Sequence, residues 1–590
     1  MNSIWNKNIQ LFKSRFPLLA DFYSNIIEDI SKNGDKKDIF SFWKVIPAKN
    51  GSLTAQIDNM LLHSSYNPQR EAQSTARELA AKNKESLIFL GAGLGWQFCE
   101  MARLINSGDC PVKKLVLIEP DPLHFFAALY YIDWAPVFAV GPLIIALGCP
   151  TDSLMPLLEG NSVNTAASGV SAAYLYAIPA FIQHARPYFD AVIALIERNR
   201  SKNEINSATY KKFEKLWIHN SLKNIDRIGQ CRSLKSFAMD YQEQSKGKIK
   251  NFVLVAAGPS LESLLHRMKE ISEHAVIVCV ETALHALLRV GVQPDFIVIT
   301  DPQYYAYKHI AGLASPSSIL ICPLSVYPAV FRFKCREILL CSEMFPVSGY
   351  FESKLGDFGD LGAGGSVASS AWTLCGLLGA RNIYFAGLDL SYAYKQTHIK
   401  GSSAEQAFLI NSDRLDTQQN HSAGYLLSAM PEYAQAYDGS QVLTDSRMKM
   451  FAWWFESKIA STPDIKNWSL CPQSMKIPGV QLAQVEELLS SEPVKRSAIG
   501  PDQVSCPANF DSLKQSFYDE VEKLAGLVNS AVEKCIIGGA DLLNELSKLE
   551  EIIAESPLNQ IIALARPVTD DKIEMYTALQ KTMRIYYGKK

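Results

Sequence analysis

Six short apolar runs, NFVLVAA, AVIVCV, DFIVIT, SILICPL, REILLC and NIYFAGL, follow one another from Asn251 onward, and several close on a glycine or an acid. Runs this short and this continuously apolar are strands buried on both faces. Helix-length segments between several of them make the sheet parallel. An earlier series begins at Leu87 with LIFLGAGLG and LVLIEPDP. Two separated series predict two sheets, so the expected fold is α/β. It has two Rossmann-like parallel-sheet domains, N-terminal and central, followed by an α-helical C-terminal domain. The expected boundaries are a helical segment over 1–80, a Rossmann-like domain with helical connector over 81–245, a central domain over 246–470, and a linker and helical tail over 471–590. A length of 590 residues accommodates three or four domains of ordinary size.

Between these landmarks the texture is less regular. Residues 1–80 look helical and polar, broken by SSYNPQREA. VFAV and LIIAL, in the apolar stretch from Trp134 to Cys149, read as two short strands. Residues 391–435 lose the strand pattern and become rich in Ser, Gln and Asn, an excursion from the sheet. A turn, a short strand and a helix capped by Asp445 or Ser446 follow. After a Pro- and Ser-containing linker over about 470–508, the tail from Phe510 is amphipathic helix.

Charge and cysteine content narrow the function. Lys+Arg 58 against Asp+Glu 60 leaves a net charge of −2, so no global field draws the chain to nucleic acid or anionic lipid. Basic strips interleaved with aromatics, as in a nucleic-acid groove, are missing. The 12 cysteines are scattered without a C-x-x-C pair, which speaks for free thiols in a reducing compartment rather than a zinc site or disulfide framework. The N-terminus has no signal-peptide pattern and no run reaches the ~20 residues of a spanning helix. A cytoplasmic protein without membrane insertion is expected. No D-x-D pair ends a strand, and no metal site is expected.

Chemistry concentrates at predicted strand ends. Gly258-Pro259-Ser260 follows NFVLVAA and is expected to open a helix, where backbone N–H groups meet a phosphate. Glu281 and Asp301 end the next two strands, and Asp389 and Tyr392 follow NIYFAGL. If the strands are parallel, all of these line one rim, where open α/β sheets bind ligands. Gly364-Gly365-Ser366 opens another helix, a second anion site. His398, in the polar excursion, is either a general base or a solvated loop histidine. His421 is expected to be exposed, and His266, His274 and His285 to be structural. In the earlier series, Gly91, Gly93 and Gly95 with Glu119 have the arrangement of a second nucleotide-type site, or of a Rossmann-like domain kept as scaffold.

AGPSLESLL, ALHALLRVGVQPDFIVITDP and GGSVASSAWTLCGLLGARNIYFAGLDLSYAYKQTH together resemble the motility-associated factor family of bacterial flagellin glycosyltransferases. LLHSSYNPQREA with LIFLGAGLG and LIEPDP resembles that family's N-terminal domain, and the likeness spans roughly residues 55 to 460. The family's central domain is in turn similar to bacterial sialyltransferases and to archaeal hydroxymethylpterin diphosphokinases. The resemblance implies transfer of a nonulosonic acid (pseudaminic, legionaminic or sialic type) from a CMP-activated donor to Ser or Thr of flagellin, with no further cofactor. It implies that Gly258, Pro259 and Ser260 cradle the nucleotide and that Asp301 is the strand-end acid. Gly365 and Ser366 match the second helix start and Asp389 the Gly-x-Asp acid. At Ala257 the sequence departs from the sialyltransferases, which tend to carry Asn there. His398, Asp389 and Tyr392 are then the catalytic candidates, with Tyr394 as a further hydroxyl. A pterin diphosphokinase using ATP, and a non-enzymatic flagellin-binding protein, are the alternatives.

Overall fold

The computed structural model describes residues 2–159, 173–494, 509–537 and 542–565, apart from 35, 37, 38, 246 and 363. It divides into two compact units, residues 1–207 and 208–590. The expected linker lies outside the described residues from 495 to 508.

In the first unit a parallel four-stranded sheet runs in the order Leu143–Leu147, Lys114–Glu119, Ser86–Leu90, Tyr174–Ala177. Two expectations change here. Residues 1–80 are not only helical: Lys44–Pro47, Leu53–Ile57 and Met60–Leu61 form an antiparallel sheet. Its last turn is Asp58-Asn59, both at positive φ (48° and 63°), the backbone that a two-residue hairpin requires and that Asp and Asn tolerate. VFAV is not a strand. Ala135–Phe138 is a helical turn, started by the Asp133 carboxylate, which accepts from Ala135 N at 3.0 Å, and favoured by Pro136 in its first turn. Only LIIAL enters the sheet.

The second unit is built on a sheet that is parallel throughout, with nine strands among the described residues. Its order is Val480–Leu482, Lys466–Ser469, Asn382–Ala386, Asn251–Val255, Val276–Val280, Phe296–Val298, Ala314–Pro323, Lys334–Cys341, Arg232–Ser233. All six predicted runs are strands. Val276–Val280 is buried throughout, each side chain contributing about 1.5–3 kcal/mol of apolar burial. The chain moves outward from Asn251–Val255 in one direction, then returns at Asn382–Ala386 on the other side of that first strand. The carboxyl ends of these two strands therefore flank a topological switch point, the place where open α/β sheets present a crevice.

The expected limits of this domain are too narrow. Arg232–Ser233 pairs with Lys334–Cys341 and Val480–Leu482 with Lys466–Ser469, so the sheet reaches past 246 and past 470. The helices Phe510–Ile537, Leu542–Glu555 and Asn559–Ala565 share its hydrophobic cluster, with Phe517 against Tyr350 (5.1 Å) and Phe351 (5.4 Å). Their apolar face is thus used for packing. The polar excursion contains two helices, Ser403–Ile410 and Gln418–Ser428, and a hairpin of Glu432–Gln435 with Gln441–Thr444. Among the described residues no helix is long and apolar enough to cross a membrane.

Candidate active site at the rim of the central sheet

At the switch point the two signature turns hold each other. Ala256 N donates to Ala386 O (2.9 Å) and Gly258 N to Gly387 O (2.8 Å), which extends the strand ladder into both turns. A Cβ on Gly258 would fall on Gly387 O and the Asp389 carboxyl, and one on Gly387, at φ +74°, on Ala256 O. These glycines permit a close approach of chain to chain. The Asp389 carboxylate, 3% exposed, accepts from Ser260 N (2.9 Å), from Ser260 Oγ and from Ser474 Oγ (2.8 Å). Burial pushes its pKa up against these hydrogen bonds.

This corrects three expectations. Residues Pro259–Ser263 form a short 3₁₀ turn rather than opening an α-helix. The Ser260 N–H and hydroxyl are committed to Asp389, so Gly258, Pro259 and Ser260 act as a strap instead of a phosphate cradle. Asp389 is the other half of that strap, with both carboxylate oxygens already accepting from Ser260 and Ser474. Tyr392 is likewise engaged: its hydroxyl, buried, donates to Asp445 Oδ2 at 2.7 Å. Burial and the Asp445 carboxylate raise its pKa far above the ordinary value. Tyr394 is exposed.

Beside the strap lies a line of titratable groups that remain open. Ile399 N donates to Ala257 O (2.8 Å), which pins the adjacent His398 over the end of the first strand. His398 is half-buried, and its Nδ1 is sealed from water without a partner. That excludes the solvated-loop reading. Burial, with His309 and Arg447 nearby, lowers its pKa to about 4, so it is a neutral imidazole at pH 7. His309 bonds Ser403 Oγ and feels Asp301. Asp301, whose Oδ1 accepts from Gln303 N (2.8 Å), in turn faces Glu281. Burial first, and then Asp301, push Glu281 up to about 8, leaving it mostly protonated at neutral pH. Its Oε2 has no partner, and neither do the buried hydroxyls of Ser391 and Thr397. A protonated acid and a neutral imidazole on one rim are the two protonation states that acid–base chemistry needs.

Among the other predicted residues, Ser366 caps the helix Val367–Leu377 by accepting from Ala368 N. Gly365 holds φ +75° there. A Cβ on Gly365 would meet Phe451 and one on Gly364 would meet Ser369, so this helix start abuts the helix Ser446–Ser461. Asp445 caps that helix through Met448 N (2.7 Å). His309, Arg447, Tyr425, Ser391 and Thr397 were not among the sequence candidates. His309, Arg447 and Tyr425 come from segments far apart in the chain with no local motif, whereas Ser391 and Thr397 lie in the same NIYFAGLDLSYAYKQTH segment as Asp389 and His398. His421 is not simply exposed: its ring stacks on Phe408 with 3° between planes. Among the described residues no three His, Cys, Asp or Glu side chains are grouped to hold a metal ion.

The second nucleotide-type site is filled by the chain itself. Cβ atoms on Gly91, Gly93 and Gly95 would collide with Phe181, His63 and Trp134. Leu94 N donates to His63 Nε2 at 2.9 Å. Glu119, 1% exposed, lies 3.6 Å from His124, which stacks on Trp43. The glycines of this turn therefore allow Phe181, His63 and Trp134 to pack against it, and Glu119 is buried beside His124.

The opposed pKa shifts carry a sign for stability. His398 (about 4) and His63 (about 3) bind protons more weakly folded than unfolded, so stability is lost as pH falls below the ordinary 6.5 toward those values. Glu281 (about 8) and Glu343 (about 7) bind protons more tightly folded, so stability is lost as pH rises from about 4.5 through 7–8. Glu281→Gln is expected to shrink the loss between pH 6 and 9 by about 2–3 kcal/mol, read as a smaller shift of the urea midpoint. An unchanged shift would mean that Glu281 is not buried as an acid.

A family model described as the Glycosyltransferase Maf N-terminal domain matches residues 41–140. One described as 6-hydroxymethylpterin diphosphokinase MptE-like matches residues 219–395. An uncharacterized protein of Treponema pallidum (strain Nichols) is 29% identical over 240 residues, covering 36% of this chain and 61% of its own length. A second is 30% identical over 95 residues, covering 16% and 41%, respectively. The chain thus spans less than two thirds of these first relatives. The solved structure of the MAf glycosyltransferase from Magnetospirillum magneticum AMB-1 superposes with a TM-score of 0.54 at 13% identity, over 100% of this chain and 95% of that one. That is a likeness of fold.

Proposed function

We propose that this chain, which matches the Glycosyltransferase Maf N-terminal domain over residues 41–140 and an MptE-like domain over residues 219–395, moves a nonulosonic acid from a CMP-activated donor to Ser or Thr hydroxyls of flagellin, a modification that serves flagellar assembly and motility. The observation that carries this reading is the group of unpartnered polar atoms at the rim: Glu281 Oε2, Ser391 Oγ, Thr397 Oγ1 and His398 Nδ1. Buried polar atoms without partners are rare in folded proteins and are satisfied by water or ligand. A polar sugar nucleotide supplies such partners.

The step is a single displacement with inversion. The acceptor oxygen attacks the anomeric carbon of the donor, and the bond from that carbon to the CMP phosphate breaks. His398 takes the hydroxyl proton, and CMP leaves with the bonding pair. Protonated Glu281 donates to an oxygen of the donor, and the Val367–Leu377 helix start adds positive potential toward the departing phosphate. No metal enters this scheme.

Calorimetric titration of the full chain with CMP tests the reading. Saturable heat at one CMP per chain is expected, and no heat would reject it in favour of a non-enzymatic flagellin-binding role. The MptE-like match favours one further reading, transfer of a diphosphate from ATP to a hydroxymethylpterin. Incubation with ATP, Mg²⁺ and a 6-hydroxymethylpterin decides between them, since AMP release would support only the second.

A further inference from the structure

Arg447 stands in the first turn of the helix Ser446–Ser461, where a cation opposes the helix dipole. Its guanidinium is 3.6 Å from Asp445 Oδ2. That carboxylate is already engaged by Tyr392 Oη and Met448 N, each at 2.7 Å. Tyr425, from the excursion helix Gln418–Ser428, is within side-chain hydrogen-bonding reach of the same guanidinium. The side chain is 53% exposed, and His398 feels its charge. A fork of donors is thus held between Tyr425 and Asp445, and through Asp445 it adjoins Tyr392 on the segment that carries His398. Two cations of the same domain are engaged elsewhere: Arg289 faces Glu262 at 3.5 Å and donates to Lys400 O at 3.2 Å, and Lys400 faces Glu405.

We infer that Arg447 receives the carboxylate of the acidic donor sugar and so selects keto-acid sugars over neutral ones, with Tyr425 as its positioning residue. This rests on the proposed function. The guanidinium matches a carboxylate bidentately, and the carboxylate of a nonulosonic acid is bonded to its anomeric carbon, so an arginine at the rim holds the reacting end of the donor. The cost of a cation at a helix start is offset when such an anion arrives.

The test compares binding of CMP, of the CMP-activated nonulosonic acid and of its carboxyl methyl ester. Arg447→Met is expected to raise donor KM by about 10–100-fold while CMP affinity stays within about twofold. The wild-type chain is expected to bind the ester as weakly as the variant binds the acid, and the variant to bind acid and ester alike. Arg447→Lys falls between them, and Tyr425→Phe raises donor KM a few-fold at constant kcat. Equal weakening of CMP and donor in Arg447→Met, or equal wild-type affinity for acid and ester, would overturn the assignment. The ester comparison needs no variant, so a folding defect cannot mask it. A wild-type chain that binds neither CMP nor donor would instead reject the proposed function, and this inference with it.

Discussion

Alanine in place of His398 is expected to lower turnover by about 10²–10⁴-fold, the range of a positioned general base, while donor affinity stays within a few-fold. The imidazole is neutral because burial first, with Arg447 and His309 nearby, holds its pKa at about 4. Basicity is therefore sacrificed for readiness: nearly every molecule carries the free base at pH 7. The wild-type rate should stay flat between about pH 5 and 7, fall toward acid as pH passes through about 4, and fall toward alkali as Glu281 loses its proton near 8. His398→Gln keeps the size and polarity but cannot take the proton, and should lose as much as alanine. Near-normal turnover in either variant would remove His398 from the reaction. Single-turnover kinetics separate this from a change in product release.

Replacing Asp389 by alanine is expected to cost about 3–5 kcal/mol of stability, because three buried donors lose their acceptor at about 1–3 kcal/mol each. The carboxylate accepts from Ser260 N, Ser260 Oγ and Ser474 Oγ. Its own backbone carbonyl accepts from Met475 N at 2.9 Å. Its loss would leave three donors facing a cavity at the switch point and free the turn that lies under His398. Ser474→Ala removes one neutral partner and should cost about 1 kcal/mol. Urea denaturation of the two variants measures the difference. A loss below about 1 kcal/mol for Asp389→Ala would show that the strap does not hold the crevice.

The sheets were readable because burial on both faces leaves no polar alternation to confuse a strand with a surface helix. Gly258, Gly387, Gly91, Gly93 and Gly95 were readable as turns but not as to purpose. Glycine serves a phosphate and a neighbouring chain for the same reason, the missing Cβ, and only the packing of Asp389, Phe181, His63 and Trp134 against them decides which. Asp389 and Tyr392 lie at the rim where expected, yet their hydroxyl and carboxylate groups are satisfied by Ser260, Ser474 and Asp445, partners more than fifty residues away in sequence. His309 and Arg447 join the site for the mirror-image reason: crossover connections bring them to the rim, and nothing beside them in the chain announces it. The hairpin at Asp58-Asn59 did carry a local signal, a two-residue turn of αL-tolerant residues, inside a segment whose polarity suggested helix.

Intact-mass spectrometry of flagellin incubated with the full chain and CMP-activated nonulosonic acid tests the account most directly. The prediction is a mass gain of one or more whole sugar residues, matched by CMP release and abolished in His398→Ala. Flagellin of unchanged mass beside intact donor, under conditions where the chain binds CMP, would contradict it.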